Sequence, residues 1–434
     1  MNTNWNVGVA RCDITPKEPI ALAGWGGKDR VTKEAVHPLW AKAIALQDAN
    51  GALAVLVTTD LLGLSRGMSE ELAARAQKLG LQRHQLIINS SHNHAGPVTG
   101  DLLHLYYELN ASESGAVQRY TLELLDKIEA VIAESLQSLE PAALSFNQGL
   151  CGFGVNRRRD LSRGEYSKVR SLSQVVDQDV PVLVVRGRDD QVRAIVFGYA
   201  CHPTSYNILQ LCGDWPGFAQ IEIEKQFPQA TAMFVAGCGG DINPLPRFGN
   251  FHEELPVMFG RILAASVSNV LDDKMQPIDS VLTTAFKEID LQLVTPPNAA
   301  QLQERRAAAL KASGDSIRVR EVDFQLKLLE EGALTQSVPY PIHVWRLGAL
   351  RFIGLSGEPV VDYSLRFKAE YDVQYTWTAG YCNELTSYVP SLRVLREGGY
   401  EGTDGMMEYG WPATYDESVE ERIAGAVADL MKTQ

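Results

Sequence analysis

Ser91-His92-Asn93-His94-Ala95-Gly96-Pro97 follows the apolar run Leu86-Ile87-Ile88. The run reads as a strand that ends and releases two histidines, one residue apart, into a Gly-Pro turn. Imidazole can hold a metal, orient a nucleophile or stabilise an anion near neutral pH, and at this point all three uses stay open. The chain has only eight histidines, so two of them at one strand end carry weight.

The same arrangement recurs along the chain. Ala54-Val55-Leu56-Val57 runs into Asp60, Ala194-Ile195-Val196-Phe197 into His202, and Met233-Phe234-Val235-Ala236 into a glycine-rich turn and Asp241. Phe352-Ile353-Gly354-Leu355 runs into Glu358, and Tyr375-Thr376-Trp377 precedes Asn383 and Tyr388. Ligands gather at the C-terminal ends of strands in α/β proteins, so a shared sheet edge would bring these polar groups together. Short apolar runs alternating with helical patterns predict an α/β fold. The 3.6-residue period predicts helices over 70–79, 116–139, 257–271, 298–312 and 417–432, with Ser69 capping the first and Gly80 stopping it. Neither a linker nor a repeat is visible, so residues 1–434 read as one domain, with the polar stretch at about 296–337 as a surface excursion.

Bulk properties exclude several classes. A net charge of −13 speaks against nucleic acid as a partner, which calls for a basic patch. The six cysteines are scattered without a Cys-x-x-Cys pair, and in a chain this long they read as thiols. No run approaches the ~20 apolar residues of a membrane span. Met1-Asn2-Thr3-Asn4-Trp5-Asn6-Val7 has neither a basic n-region nor an apolar h-region, which predicts no signal peptide and a cytoplasmic location. The sequence leaves the oligomeric state open.

His92, His202 and Glu358 form a candidate metal set, since zinc takes imidazole nitrogen and carboxylate oxygen. The competing reading is that each histidine caps a strand or packs in the core. His94 points the same way as His92 if the segment is extended, and would face substrate or solvent. Gly237-Cys238-Gly239-Gly240-Asp241-Ile242-Asn243-Pro244 lacks the Gly-Lys-Ser/Thr of a phosphate loop and reads first as a tight turn whose N–H groups could bind an oxyanion. Arg157-Arg158-Arg159 reads by composition as solvated surface, although Arg suits fork-like binding of an oxyanion. Trp25 and Trp215 fit a pocket wall or the core equally. No Gly-x-Ser-x-Gly elbow exists.

At these residues the sequence resembles the neutral/alkaline non-lysosomal ceramidase family. Ser91-His92-Asn93-His94-Ala95-Gly96-Pro97 is similar to that family's Thr-His-Thr-His-Ser-Gly-Pro block. Val7 to Pro16 resembles its opening strand, and Asn156-Arg157 its Asn-Arg-Ser site. His202 with Gly213-Asp214, Gly240-Asp241-Ile242-Asn243-Pro244, Gly357-Glu358 and Asn383 to Tyr388 resemble four further blocks. The likeness is to the catalytic domain, without the family's C-terminal β-domain or secretion signal.

The resemblance implies two mixed β-sheets packed together with helices outside. It implies one Zn2+ ion held by His92, His202, Glu358 and Tyr388. His94 and Arg157 would bind the scissile carbonyl and its oxyanion, and zinc-bound water would cleave an amide. Asn243 stands where the family has Ser, which removes a serine nucleophile there. Asn243, as a hydrogen-bond donor to a carbonyl, and Asp241 remain candidate site residues. Asp60, Asp214 and Asp241 are expected to orient the imidazoles through their free N–H groups. The expected substrate is a ceramide-like lipid amide or a smaller soluble one. Two alternatives are a zinc-dependent ester or lactone hydrolase and a non-catalytic, metal-stabilised binding protein.

Overall fold

The computed structural model describes residues 4–26, 30–158, 175–246, 253–313 and 317–433. Among the described residues, thirteen strands build two mixed sheets. The larger contains β1 (Trp5–Asp13), β2 (Trp40–Gln47), β3 (Leu53–Thr59), β4 (Leu86–Ser90), β5 (Glu140–Leu150), β6 (Asp179–Gly187), β7 (Val192–Tyr199) and β8 (Thr231–Ala236). Their order is β8-β7-β6-β5-β1-β2-β3-β4, and the short strand Gln276–Pro277 adds on to β5. Only β3 with β4 and β7 with β8 are parallel. The smaller sheet orders β9 (Leu282–Gln292), β10 (Ser337–Leu347), β11 (Leu350–Leu355) and β12 (Thr376–Ala379) in sequence.

Strand alternation produces a layered core. Ala54 and Leu56 of β3 face the smaller sheet, where Trp345, Phe352 and Trp377 meet them. Val55 and Val57 face the other way, onto helices. A strand buried on both faces reads as an unbroken apolar run, which is why these strands were visible in the sequence. The helices over the larger sheet are α1 (Arg66–Lys78), α2 (Ala111–Gln137), α3 (Asp214–Gln226) and α4 (Glu254–Asp272). On the far side of the smaller sheet, Ile353 and Val344 pack with Phe367 of α7 (Asp362–Glu370) and with Ile423 and Val427 of α8 (Val419–Lys432). The two packed mixed sheets flanked by helices are therefore present as expected.

Helix boundaries differ where capping chemistry was misread. Ser65, not Ser69, caps α1, and Ser69 lies buried inside it. Asn110 starts α2 earlier than the periodicity suggested, through a capping box with Glu113. α3 is not among the helices the periodicity predicts; Pro216 sits in its first turn, where a proline sacrifices no needed N–H. α4 is long and apolar enough by composition to cross a membrane, but Leu255, Phe259, Leu263 and Val267 place one face in the core. The polar 296–337 stretch holds α5 (Ala299–Ser313) and α6 (Ile317–Glu330). It is docked rather than loose: Arg320 donates to the Leu105 carbonyl at 3.0 Å and to Glu108 at 2.6 Å.

The six strand tips do not share one edge. Four belong to the larger sheet and two to the smaller, and β4 and β8 are opposite ends of the larger sheet's order. They converge because the tips of β4 and β8 meet. Asn89 donates through Nδ2 to the Gly380 carbonyl at 2.7 Å, and its Oδ1 accepts from the Ala236 N–H at 2.8 Å. One fully buried amide thus ties β4, β8 and the segment after β12 together.

Replacing Asn89 by Ala leaves the Ala236 N–H and the Gly380 carbonyl without this partner. Such groups cost about 1–3 kcal/mol each when unsatisfied, so Asn89→Ala should lose about 2–4 kcal/mol of stability. Urea unfolding would show it; a loss under about 0.5 kcal/mol, the range of surface substitutions, would refute the role.

Candidate metal centre

His92 follows β4 in the left-handed region, at φ 62°. The segment is therefore not extended there, and the same-face expectation for His92 and His94 does not apply. They face each other for another reason. Asn93, fully buried between them, donates to the Cys212 carbonyl at 2.6 Å and accepts from the Ala95 N–H at 2.9 Å. This anchor folds the chain so that the two rings meet edge to face, 4.8 Å apart. His202 follows β7 and is held by its N–H on the Ile242 carbonyl. Glu358 and Tyr388 are brought level by a two-residue parallel ladder, Glu358–Pro359 with Tyr388–Val389. Gly357 permits it: φ is 68°, and a Cβ there would stand 2.6 Å from the Ser387 carbonyl.

The imidazoles share one design. His92 Nδ1 lies 3.0 Å from the Leu62 carbonyl, His94 Nδ1 2.9 Å from the Gly24 carbonyl, and His202 Nδ1 2.6 Å from the Gly239 carbonyl. A carbonyl only accepts, so each Nδ1 carries the hydrogen and each Nε2 presents its lone pair. Those lone pairs converge. His92 Nε2 and His202 Nε2 each lie 3.0 Å from Glu358 Oε2, and His94 Nε2 lies 3.1 Å from His92 Nε2. Burial first, then the neighbouring imidazoles, hold His94 well below its ordinary pKa. Burial, then Arg157, lowers His202 to about 4. Burial alone would raise the Glu358 carboxyl, and only positive charge shared with His92 and His202 holds it well below its ordinary value. Converging imidazole lone pairs and a carboxylate call for a cation. Zinc ligands at about 2.0–2.1 Å in tetrahedral array stand ~3.3 Å apart, close to these spacings. The donor set fits such an ion. His92, His94 and His202 all belong to the group, so His94 is nearer the metal position than its expected substrate-facing role implied.

Beside the donors sits a cationic wall. Arg157 donates to Tyr388 Oη at 3.2 Å and to Asn243 Oδ1 at 3.4 Å. Its Nε is held by Glu401 at 2.6 Å, and its guanidinium lies over the rings of Tyr388 and Tyr400. Tyr388 and Glu401 outweigh its burial and keep it firmly protonated. Tyr388 Oη is 3.5 Å from His202 Nε2, at the margin of the donor cluster. Asn243 is buried, with Nδ2 engaging no protein group. Tyr409 donates to Glu358 Oε1, and Trp25 stands edge-on to His94 at 5.6 Å.

Several expectations change. The imidazole N–H groups are held by backbone carbonyls, not by Asp60, Asp214 or Asp241. Asp60 accepts from the Trp40 N–H and from Gln220; Asp214 accepts from the N–H groups of Ser205 and Tyr206. Asp241 accepts from Val361 N–H at 2.9 Å and Asn156 at 2.7 Å, so it clamps the loop behind the centre rather than reaching into it. The glycine turn offers no oxyanion site through Gly237, Gly240 or Ile242, whose N–H groups bind Tyr199, Pro359 and Gly239 carbonyls. Arg157 and Arg158 are not solvated surface: Glu401 bridges them, at 2.6 and 2.8 Å. Arg159 lies outside the described residues. Trp215 is core, and its Nε1 donates to the His202 carbonyl. Glu401, Tyr381, Tyr400 and Tyr409 gave no signal in the sequence, each being an isolated residue in a loop-like stretch.

Comparisons with known proteins bear on the family and the fold. A family model described as neutral/alkaline non-lysosomal ceramidase, N-terminal, matches residues 5–244. Among solved structures, neutral ceramidase from Pseudomonas aeruginosa is similar over 98% of this chain and 74% of its own, with 17% identity and a TM-score of 0.74. A ceramidase complexed with C2 is similar over the same shares, with 16% identity and a TM-score of 0.76. At such identities the likeness is one of fold. No match was found among curated protein sequences.

Glu358 Oε2 touches His92 and His202 but not His94, which sets an order for metal loss. Chelated protein should take up one zinc ion per chain in a titration. His92→Ala, His202→Ala and Glu358→Ala should weaken uptake by about 100-fold or more, and His94→Ala by clearly less. Equal loss in His94→Ala would make His94 a ligand in its own right.

Proposed function

Because the chain belongs to the neutral/alkaline non-lysosomal ceramidase family, we propose that it is a zinc-dependent hydrolase of an N-acyl amide. The observation that carries this reading is the convergence of three imidazole Nε2 atoms and the Glu358 carboxylate beside a protonated arginine. His92, His202 and Glu358 would hold the ion, with Tyr388 at its margin. A zinc ion held there would supply Lewis acidity toward a carbonyl and would lower the pKa of a water to about 7.

The protein's own groups divide the remaining work. Arg157 brings a fixed positive charge to the place where the carbonyl oxygen gains charge, and Glu401 with the two tyrosine rings keeps it there. Asn243 Nδ2 supplies a second donor, since its Oδ1 is turned toward Arg157 and Thr204. His94 takes a different part from the one the resemblance implied. With Nδ1–H committed to the Gly24 carbonyl, its Nε2 is an acceptor, which suits receiving a hydrogen bond and not donating to a carbonyl. Water exclusion follows from the burial of His92, His202 and Glu358. A ceramide-like lipid amide and a smaller soluble amide both fit this chemistry.

Zinc-loaded protein should cleave short N-acyl amides, and metal-free protein should not. Arg157→Ala should retain zinc and lose about 100- to 1000-fold in kcat, the usual cost of an oxyanion donor. An Arg157→Ala variant as active as the parent would overturn the assignment, and ester cleavage without amide cleavage would move the reading to an esterase.

A further inference from the structure

Tyr381 takes no part in the mechanism above, yet it sits against its centre. Its ring stacks on His92 at 4.5 Å with a 26° tilt, and it meets the His202 ring edge-on at 6.3 Å. It is 4% exposed, and its hydroxyl has no hydrogen-bond partner in the protein. The backbone is held at φ 54°, in the left-handed region that side chains such as tyrosine seldom occupy.

Stacking explains a ring at this position but not a phenol. Phenylalanine would cover His92 equally and would not bury an unpaired hydroxyl, which carries a desolvation penalty. A buried polar group without a partner, set beside reacting groups, points to a partner that arrives with the ligand. Asn243 Nδ2, on the Arg157 side, is in the same condition. We propose that Tyr381 is a substrate-binding residue whose hydroxyl donates a hydrogen bond to an oxygen of the bound acyl compound. The inference rests on the amide-hydrolase reading, since it supplies that centre with a further donor.

Tyr381→Phe separates this role from a structural one, because it keeps the stack and removes only the hydroxyl. The metal-free variant should be as stable as the parent or melt about 1–2 °C higher, as expected when a buried unpaired group is removed. The zinc-loaded variant should keep its metal, lose about 10- to 100-fold in kcat/KM on an N-acyl amide, and bind acetohydroxamate about 10-fold more weakly in a calorimetric titration. Unchanged kcat/KM and unchanged acetohydroxamate affinity would overturn the proposal, as would a fall of several degrees in melting temperature. If the parent cleaves no amide, the reaction assignment fails by itself, and the acetohydroxamate comparison still decides whether Tyr381 meets a ligand oxygen.

Discussion

Three backbone carbonyls, those of Leu62, Gly24 and Gly239, determine what the centre of this protein can do. Each accepts the Nδ1–H of one histidine and so turns that ring's Nε2 into a donor of electrons. A carboxylate in the same position could take up a proton and change its role with pH; a peptide carbonyl cannot. The tautomers are therefore built into the path of the main chain. That path must bring three separate loops to within hydrogen-bond reach of three rings, and much of the surrounding architecture serves this demand. Gly24 shows how tight the fit is: a Cβ there would stand 2.5 Å from the His94 ring, at a φ of 82°.

Charge in so buried a place needs its own support. Burying an ion without a partner is far more expensive than burying a hydrogen-bonded pair. Arg157 and Arg158 meet this by sharing Glu401, and Arg158 adds Glu397 and the Gly398 carbonyl. The sharing has a geometric result. Arg157 spends its Nε on Glu401, which leaves its two Nη groups to face Tyr388 and Asn243. The ion pair thus sets the direction of a cation whose charge alone would be compatible with many orientations.

Legibility in the sequence followed the physics of each feature. The strands could be read because two-face burial leaves unbroken apolar runs, and the polar residues at their tips could be read because they interrupt those runs. His92, His202, Glu358 and Arg157 were found this way or through family blocks, and the structure gathers all four. The Glu358–Tyr388 ladder is two residues long, too short to have a period. Arg158 looked like surface because composition carries no information about Glu401, more than two hundred residues away. Asn89 lay unnoticed inside a strand, since nothing local distinguishes an amide that joins two sheet ends from one that faces water. The aspartates were assigned to the imidazoles by chemical analogy, whereas backbone carbonyls, which every residue has, hold those rings and leave no trace in composition.

The distribution of backbone strain completes the physical account. Among the described residues, non-glycine positive φ angles occur at His92, Leu103, Asp190, Asp214, Tyr381 and Asn383. Three of these, His92, Tyr381 and Asn383, lie where the tip of β4 meets the segment after β12. Such conformations cost about 1–3 kcal/mol each and persist only where the surroundings leave the chain no alternative. Here the surroundings are two sheets at once. Asn383 accepts from the Ile88 N–H and donates its own N–H to the Ile88 carbonyl, while the Ser90 N–H donates to the Tyr381 carbonyl. These bonds stitch the larger sheet's last strand to the smaller sheet's connection, and relaxing any one angle would break a bond to the other sheet. The ring of Tyr381 and the ring of His92 are stacked as a consequence of this stitching. The interface between the two sheets therefore does more than bury apolar surface: it supplies the rigidity that lets strained residues present their side chains to a common point.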